Sequence, residues 1–319
     1  MRDDVYDAAL YDAVIIGGGP AGLSAALNLG RSRARVLVVD ADRPRNAATL
    51  NSHGFLTRDG VPPHELRRLA RAELVAYPLV EVLGRTRVTA VTEPSCRSAA
   101  QARFVVALEG RKAPASVLAR AVIVATGLRE TLPGIPSIRA FYGMSVFSCA
   151  ACDAWELQDR ALALIGETPD LADRARLIAR WTDRLTVFTN GADVVDPVEE
   201  AELAASGIVV ERRRIADLEG ERGAVGAVRL EDGSRVEIAG GFVRPHWSAA
   251  LDFLADLEVE LDGDGHLAVD RSGRASVAGL YGAGDAVAPG PQQLIVAAGQ
   301  GARVAAVLVH DEIGVRTAH

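Results

Sequence analysis

The chain has 319 residues, of which 49% are hydrophobic, so it is long enough for two domains of ordinary size with substantial cores. A formal net charge of −7 argues against nucleic-acid binding and against a basic membrane-surface helix. No apolar stretch reaches transmembrane length, and the acidic start from Met1 to Asp4 has no apolar signal core. We therefore expect a cytoplasmic protein with no nucleic-acid partner and no membrane partner.

The first predicted elements form a dinucleotide-binding unit. A buried strand runs into a GxGxxG turn, and a helix, a second strand and a terminal acid follow it. Glycines in such a turn let the backbone approach a pyrophosphate at the helix N-terminus, and the acid accepts hydrogen bonds from a ribose. The residues concerned are Gly17, Gly19, Pro20, Ala21, Gly22 and Asp40.

Two later segments favour FAD as the nucleotide bound by this unit. One predicted strand ends in Ala125-Thr126-Gly127, and another, near the C-terminus, enters a second glycine turn at Gly284-Asp285. A predicted helix from Gln292 to Leu308 follows. A remote segment that returns beside the first unit suits FAD, whose flavin end needs partners beyond the first βαβ unit. The alternative role of Asp285 is to cap the segment that follows it.

Two cysteines in the middle of the chain have the spacing of a redox pair. Cys149 and Cys152 are followed by Asp153, and the remaining cysteine, Cys96, is expected to be an inert loop thiol. A CxxC at the first turn of a helix favours a thiolate, and a carboxylate behind it can pass a proton to a departing thiol. A structural zinc site needs four ligands, which the histidines do not supply at short spacing. We predict a reversible disulfide and no metal. The alternatives are an incidental cysteine pair or a metal site for the two cysteines, and a plain helix acid for Asp153.

Four motifs, taken in their order along the chain, resemble the low-molecular-weight thioredoxin reductase family of flavoproteins over nearly the whole sequence. They are the first glycine turn, Ala125-Thr126-Gly127, the CxxC-Asp motif and Gly282-Ala283-Gly284-Asp285. The resemblance implies an α/β fold of two Rossmann-like, three-layer ββα nucleotide-binding domains, the second inserted in the first. The FAD domain would cover 1–130 and 245–319, and the central nicotinamide-domain equivalent would cover 131–244.

The same resemblance implies roles for the redox residues and an oligomeric state. Cys152 would lie against the flavin, Cys149 would exchange with the substrate, and Asp153 would act as the proton donor. The protein would be a homodimer.

The central domain departs from that family at its own glycine turn. The predicted strand before Gly166 is present, but Thr168 and Leu171 occupy the second and third glycine positions. Glu167 and Asp170 place negative charge where a pyrophosphate would lie, and the next predicted strand is followed by no basic residue that could hold a 2′-phosphate. We predict a degenerate nucleotide site, with an unusual but working NADPH site as the alternative.

A second resemblance concerns a subgroup of the family that oxidises dithiols of the gliotoxin and holomycin type. These enzymes pass the electrons through FAD to dioxygen, which gives hydrogen peroxide. The chain resembles them at Arg45-Asn46, in the loop from Asn51 to Gly60, at Val146 to Ser148 and in the degenerate turn. It differs where Ala150, Ala151 and Ala154 replace a Pro, an aromatic and a Gly. The resemblance implies a small-molecule dithiol and dioxygen as partners and leaves the substrate's size open.

Several further side chains are weaker candidates. His53 is either a base near the flavin and thiols or a structural hydrogen-bonding residue. Gln292 and Gln293 are expected beside the flavin ring, although Pro291 also suits a plain helix N-terminus. Three aromatic residues line an apolar substrate cleft or belong to the core: Phe147, Trp155 and Trp247.

The predicted site thus has two parts. The predicted catalytic residues are Cys149, Cys152, Asp153 and His53. The predicted cofactor-binding residues are Gly17, Gly19, Pro20, Ala21, Gly22, Asp40, Arg45, Asn46, His53, Ala125, Thr126, Gly127, Gly284, Asp285, Gln292 and Gln293.

Three functions remain open at this point, and we favour an FAD-dependent dithiol oxidase that uses dioxygen. The first alternative is a reductase of thioredoxin or a similar small protein, fed by NADPH or by another donor such as ferredoxin. The second is a non-catalytic FAD-binding or sensing protein. The intact cysteine pair argues against the sensing protein, and the central turn argues against a reductase fed by NADPH.

Overall fold

The structure is a computed structural model that describes residues 9–94, 102–287 and 290–315. Cys96 lies outside these residues, so its predicted role has no structural counterpart here. The described chain folds around two mainly parallel sheets, which correspond to the two predicted nucleotide-binding units.

The first sheet is built mostly from the N-terminal part of the chain. Its strands and helices before residue 125 are β1 (Leu10–Ile16), α1 (Pro20–Arg31), β2 (Val36–Asp40), α2 (Pro63–Leu74), β3 (Val80–Gly84), β4 (Arg87–Thr92), β5 (Phe104–Glu109) and β6 (Ser116–Val124). The order is β3-β2-β1-β6-β5-β4, with parallel pairing from β3 to β6 and antiparallel pairing from β6 to β4. β1 and β2 are buried on both faces, which explains their continuous apolar runs.

The remaining elements form the second sheet and return the chain to the first. They are β7 (Leu128–Thr131), α3 (Ile138–Phe141), β8 (Val146–Phe147), α4 (Ala150–Asp153), β9 (Leu162–Ile165), α5 (Leu171–Ile178), β10 (Leu185–Phe188), α6 (Pro197–Ala205), β11 (Val209–Glu211), β12 (Ile215–Glu221), β13 (Ala224–Leu230), β14 (Arg235–Glu237), β15 (Gly241–Val243), β16 (His246–Ala249), β17 (Leu280–Gly282) and α7 (Leu294–Glu312). The second sheet has the parallel order β11-β10-β9-β15-β8. β17 joins the first sheet in parallel beside β6.

Each sheet is covered on both faces, as the predicted three-layer arrangement requires. In the first unit, α1 and α7 pack on one face, and the segment 253–257 packs on the other, in one cluster with side chains of the sheet strands. In the second unit, α5 lies on one face and the antiparallel sheet β12-β13-β14 on the other. The predicted α/β fold class with two Rossmann-like units is confirmed.

A two-stranded ribbon lies between the two units. It pairs β7 with β16, antiparallel, and places Trp247 opposite Glu130. The first sheet takes its strands from 10–124 and 280–282, and the second takes its strands from 146–243. The proposed domain limits at 130/131 and 244/245 fall at or beside this ribbon and stay predictions.

The helix α7 is long and apolar enough to cross a membrane by length and composition, with a mean hydropathy of 1.2 over 18 residues. It is the one such helix among the described residues, and the sequence analysis expected none. Gly301 of α7 lies against the backbone of Ala21 in α1, where any side chain would overlap the Ala21 carbonyl oxygen. This packing accounts for the small and apolar residues on the covered face of α7.

Candidate active site

The turn between β1 and α1 is shaped by two glycines that permit close backbone contact. Gly17 has a φ of 115°, and a side chain there would overlap the carbonyl oxygen of Ala125 at the end of β6. A side chain at Gly22 would overlap the carbonyl oxygen of Gly17. Gly19 differs, because no atom lies within 4 Å of its Cβ position. The open side of the turn is therefore at Gly19, next to the start of α1 at Pro20.

Asp40 lies at the end of β2, beside the glycine turn, and is 8% exposed. Its Oδ1 accepts a hydrogen bond from the Asp42 backbone N–H at 3.0 Å, and its Oδ2 contacts the guanidinium of Arg71. Arg67 lies 3.9 Å from the same oxygen. Both arginines reach back from α2, and no local pattern in the sequence indicates them. The predicted bond from Asp40 to a ribose stays a prediction, because protein groups already hold this carboxylate.

The N-terminal and C-terminal parts of the first unit meet at Asp285, as the FAD prediction requires. Arg45, which follows β2, donates to the Asp285 carboxylate at 2.7 Å and to Gln292 Oε1 at 3.3 Å. Burial raises the pKa of Asp285, and the Arg45 guanidinium opposes that rise. Gly284, with φ of 75°, donates its N–H to Gln300 Oε1 at 2.7 Å. A pair joined across 240 residues of sequence thus fixes this side of the site.

A cavity of 570 Å³ lies between the two units and reaches the cysteine pair. It brings together many of the predicted residues of both kinds. Those that line it are Arg45, Asn46, His53, Cys149, Cys152, Asp153, Gln292 and Gln293. The glycine turns, Asp40 and Ala125-Thr126-Gly127 are not part of this lining and belong to the nucleotide end of the predicted site.

The residues at that nucleotide end fit FAD. Gly19 leaves open space at the N-terminus of α1, where a pyrophosphate would lie. Thr126 follows β6 beside Gly17, and its Oγ1 is buried without a hydrogen-bond partner among the described residues. A buried hydroxyl without a partner is costly unless a ligand completes it. Arg45 and Gln292 connect the two parts of the site, because Arg45 binds Asp285 and both line the cavity that contains the cysteine pair.

The cysteines form a disulfide at a single helical turn. Cys149 and Cys152 are bonded, with their Cα atoms 5.3 Å apart. Cys149 precedes α4, and its carbonyl oxygen accepts the N–H groups of Cys152 and Asp153 at 3.2 and 3.1 Å. Both sulfur-bearing residues line the cavity, so a thiol in the cavity can reach the pair.

Asp153 is held in a state suited to proton transfer. Burial raises its pKa to about 7, Glu156 adds to the rise, and His53 acts in the opposite direction. A carboxyl group with this pKa is present in both protonation states near neutral pH, which suits a general acid. A pKa near 7 suits the proton-donor role predicted for Asp153, which stays a prediction.

His53 bridges the loop after β2 and the segment after the cysteines. Its Nδ1 lies 3.6 Å from Asp59, and its Nε2 lies 3.6 Å from Glu156. It also lines the cavity. The structure thus places His53 between two carboxylates at the cysteine pair, while its proposed role as a base stays a prediction.

The three candidate aromatic residues separate into two groups. Phe147 and Trp247 line the cavity, and the Trp247 ring lies 4.2 Å from the Arg244 guanidinium carbon and 5.7 Å from that of Arg45. Trp155 is 68% exposed and does not line the cavity. The expectation that Trp155 belongs to the cleft or to the core is wrong, because the chain after α4 turns its ring outward.

The turn between β9 and α5 is filled by side chains. The Leu171 side chain occupies the space over Gly166, where an added Cβ would lie 2.6 Å from Leu171 Cδ1 and 2.9 Å from Arg244 Cβ. The Asp170 carboxylate accepts hydrogen bonds from Thr168 at 2.7 Å and from Arg244 at 2.8 and 3.1 Å. Asp170 also pairs with Arg174 at 3.1 Å. A protein carboxylate and its arginines thus occupy the start of α5.

The surroundings of β10 contain arginines that the linear sequence did not place there, among them Arg212, which lies 3.5 Å from Asp193. A Cβ added to Gly191, just after β10, would lie 2.9 Å from Cγ of Arg214. Arg214 follows the neighbouring strand β11, so sheet pairing brings it to this edge. The expectation that no basic residue lies here holds for the segment after β10 but not for the folded edge.

A second group missed by the sequence analysis lies beside Cys149. The Tyr142 hydroxyl lies 2.5 Å from Glu130 Oε1 and 3.0 Å from the Ser148 hydroxyl. Trp247 Nε1 donates to the same oxygen of Glu130 at 3.4 Å. Only the folded ribbon of β7 and β16 could show this, because Glu130 and Trp247 are 117 positions apart.

Comparison with known proteins gives a consistent result. Residues 11–301 match the family described as pyridine nucleotide-disulphide oxidoreductase. Thioredoxin reductase tcpT of Claviceps purpurea is 30% identical over 286 residues, 86% of each chain. The crystal structure of HlmI has a TM-score of 0.86 and 33% identity, and covers 95% of this chain and 92% of that one. A protein of Arthroderma benhamiae named "Probable thioredoxin reductase" is 33% identical over 57% of this chain and 44% of its own.

The family match covers both nucleotide-binding units, including the cysteine pair of the second. It agrees with the open glycine turn, the Arg45–Asp285 pair and the disulfide in the cavity. The chain therefore belongs to the pyridine nucleotide-disulphide oxidoreductase family, as a thioredoxin reductase-like flavoenzyme that binds FAD and acts on thiols and disulfides.

Proposed function

We propose that the protein is an FAD-dependent dithiol oxidase that closes a disulfide in a small-molecule, natural-product dithiol. When bound, FAD would supply the acceptor for the electron pair of the reduced cysteines and the route to dioxygen, which gives hydrogen peroxide. Gly19, Thr126 and the Arg45–Asp285 pair are among the residues that would hold it. We propose in addition that the enzyme works in the cytoplasm as a homodimer.

The observation that carries this proposal is the filled turn after β9. A nicotinamide dinucleotide would need the space over Gly166 that Leu171 occupies and the helix start that Asp170 occupies. Displacing Asp170 would also leave Arg244 without its carboxylate partner, at a cost typical of a broken, half-buried ion pair. A family member that cannot take hydride at this turn can still receive electrons through its cysteine pair.

The residues around the disulfide can carry out the exchange. A substrate thiolate attacks Cys149 Sγ, the bond to Cys152 breaks, and the electron pair remains on Cys152 Sγ. Asp153 in its acid form donates a proton to that sulfur. The second substrate thiol then displaces Cys149 and closes the product disulfide. This sequence assigns Cys149 to the substrate and Cys152 to the cofactor.

The cavity supports a small molecule as the substrate. The cavity of 570 Å³ must also hold the flavin end of FAD, since predicted cofactor-binding residues line it, so only the part beside the disulfide is left for a substrate. Ala150 and Ala151, which stand between the cysteines, line it with small side chains. The wall next to the disulfide therefore leaves room for a substrate of more than minimal size.

Anaerobic mixing of the holoenzyme with one reductant at a time tests the proposal. We expect a dithiol such as dithiothreitol to bleach the flavin absorbance within seconds, and millimolar NADPH to leave it unchanged over minutes. Admission of oxygen should then yield one hydrogen peroxide per dithiol consumed. Rapid bleaching by NADPH would refute the proposal.

The second candidate is a disulfide reductase fed by NADPH or by another donor such as ferredoxin. The observation that favours it is Arg214, which could hold a 2′-phosphate at the edge of β10. The Arg214→Ala variant separates the two functions. It should weaken NADPH binding in a reductase and should leave dithiol oxidation unchanged in an oxidase.

A further inference from the structure

A chain of hydrogen bonds runs from the ribbon between the two units to the residue before Cys149. Glu130 lies on β7, Tyr142 follows α3, and Ser148 directly precedes Cys149. The Tyr142 hydroxyl joins them, at 2.5 Å from Glu130 Oε1 and 3.0 Å from Ser148 Oγ. Tyr142, Ser148 and Cys149 line the same cavity.

The direction of these bonds follows from the groups themselves. An ionised carboxylate only accepts, so the Tyr142 hydroxyl donates to Glu130. Its single proton is then used, and the Ser148 hydroxyl donates to the phenol oxygen. Burial, followed by the hydrogen bond to Glu130, raises the pKa of Tyr142, while Ser148 and Arg45 lower it. The phenol therefore stays protonated near neutral pH and can take up one proton as it releases another.

Dithiol oxidation needs a proton acceptor at this place. The nucleophile is a thiolate, whereas a free thiol with a pKa near 8.5 is mostly protonated at neutral pH. Asp153 must donate a proton to Cys152 in the same step, so it cannot also accept one from the substrate. His53 lies with Asp153 and Glu156 and not in the hydrogen-bonded chain beside Ser148.

We propose that Ser148, Tyr142 and Glu130 form a proton relay that deprotonates the substrate thiol as it attacks Cys149. The thiol proton passes to Ser148 Oγ, the Ser148 proton passes to Tyr142, and the Tyr142 proton passes to Glu130. The new bond joins the substrate sulfur to Cys149 Sγ, and the disulfide electron pair leaves on Cys152 Sγ. This step conserves atoms and charge, because Glu130 becomes neutral as Cys152 becomes a thiolate that Asp153 protonates.

The relay then runs in the opposite direction. The second substrate thiol loses its proton to solvent and attacks the first substrate sulfur, so the bond to Cys149 breaks. The electron pair remains on Cys149 Sγ, and Glu130 returns its proton to that sulfur through Tyr142 and Ser148. The substrate has lost two electrons, and the cysteine pair has gained them.

Reduction of the disulfide in oxygen-free holoenzyme tests the relay, which rests on the proposed function because it serves the same thiol exchange. Bleaching of the flavin is recorded, the reaction is then quenched with acid, and free Cys149 and Cys152 are alkylated and counted by mass spectrometry. The rate is taken from the sum of reduced flavin and reduced cysteine pair, because the pair passes its electrons to FAD. The variant is Tyr142→Phe, which keeps the ring and removes the link. The matched control is Tyr11→Phe, because Tyr11 also bonds to a glutamate, Glu81, at 3.1 Å, but lies in β1 away from the cavity.

With dithiothreitol at neutral pH, Tyr142→Phe should reduce the rate by roughly 10- to 100-fold, whereas Tyr11→Phe should match the wild type. The two rates should become equal when the pH exceeds the pKa of dithiothreitol, because the thiol is then already a thiolate. They should also be equal at neutral pH with a thiophenol that is already ionised. An equal loss with all thiols and at all pH values would show a structural role only and would overturn the relay. Wild-type rates in Tyr142→Phe would overturn it too. The proposed oxidase function fails separately, if the reduced wild type consumes no oxygen.

Discussion

The turns after β1 and after β9 both connect a parallel strand to a helix, but the first leaves space for a phosphate and the second is filled by side chains. After β1, the backbone closes on itself through Gly17 and Gly22 and leaves open space at Gly19. After β9, Leu171 and the Asp170–Arg244 pair fill the corresponding space. The difference shows that a unit of this kind can form its parallel strands and its helix with a filled turn, because the second unit does so with Thr168 and Leu171 at the second and third glycine positions.

The largest effect is expected at the cysteines. If the second unit performs thiol exchange instead of nucleotide binding, its activity depends on Cys149 and Cys152. Cys149→Ser and Cys152→Ser should each reduce dithiol oxidation by about 10³-fold or more, because each removes one half of the relay of electrons. FAD content should stay at the wild-type level. Cys152→Ser, mixed with the disulfide form of the substrate, should hold it as a mixed disulfide on Cys149, because the Cys149 thiolate breaks that disulfide and no second cysteine releases the product. Mass spectrometry of the intact protein detects this adduct, and Cys149→Ser should not form it. Full oxidase activity in Cys149→Ser would refute the mechanism.

The open turn is tested by filling it. Gly19 has extended backbone and no neighbour at its Cβ position, so Gly19→Leu should fold normally and occupy the pyrophosphate space. We expect FAD affinity to fall by roughly 100-fold or more, since several backbone hydrogen bonds to phosphate are lost. The measurement is the ratio of flavin to protein after gel filtration. Gly299→Leu, at an exposed position of α7 with open space, is the control and should retain FAD.

Asp153→Asn should slow reduction of the disulfide by about 10- to 100-fold below pH 7, because the amide cannot donate the proton. The wild-type rate should lose this advantage as the pH rises through about 7, the pKa of Asp153. The pKa of Asp153 is higher in the folded state than the value near 3.9 expected in the unfolded chain. The contribution of Asp153 to the free energy of unfolding is therefore fully present below about pH 3.9 and is lost as the pH rises to about 7. At pH 8, the Asp153→Asn variant should therefore unfold at a higher urea concentration than the wild type. A pH profile without a step near pH 7 in the wild type would contradict this role.

The smallest effect is expected from reopening the filled turn. The double variant Thr168→Gly/Asp170→Gly removes the carboxylate that Arg244 and Arg174 hold, and frees both arginines for a phosphate. NADPH affinity, measured by calorimetry, should rise by roughly 10-fold, with Leu171 still in place. Asp173→Asn, which removes an exposed acid of the same helix, is the control. An unchanged affinity would show that Leu171 alone closes the site.

The sequence predicted those parts of the fold and site that depend on local pattern. Apolar runs located β1, β2, β9 and β10, and the glycine spacing located both turns and distinguished them. The CxxC spacing located the disulfide, since two intervening residues bring both sulfurs to one helical turn. The main errors in these elements are at their ends, such as α7, which begins at Leu294 and reaches Glu312.

The parts that could not be predicted depend on side chains that meet across the fold. Arg71 reaches Asp40 from a helix 31 positions later, and Glu130 meets Tyr142 and Trp247 only through the ribbon. Arg214 arrives at the edge of β10 through strand pairing. These contacts depend on the length of the side chains and on the order of the strands in the sheets. Neither can be predicted from the spacing of residues along one segment.

The contact between α1 and α7 has a consequence for how the protein is made. The ribosome releases the chain from its N-terminus, so the whole second sheet, up to β15, emerges before β17 and α7 exist. Until then α1 lacks the partner that Gly301 brings against Ala21, and one face of the first sheet lacks the part of its cover that α7 supplies. At about 5–20 residues per second, several seconds pass between completion of the inserted unit and completion of the outer one. Flavin capture is therefore a late event in biosynthesis, and truncation within α7 should yield a colourless chain whose inserted unit is nevertheless folded.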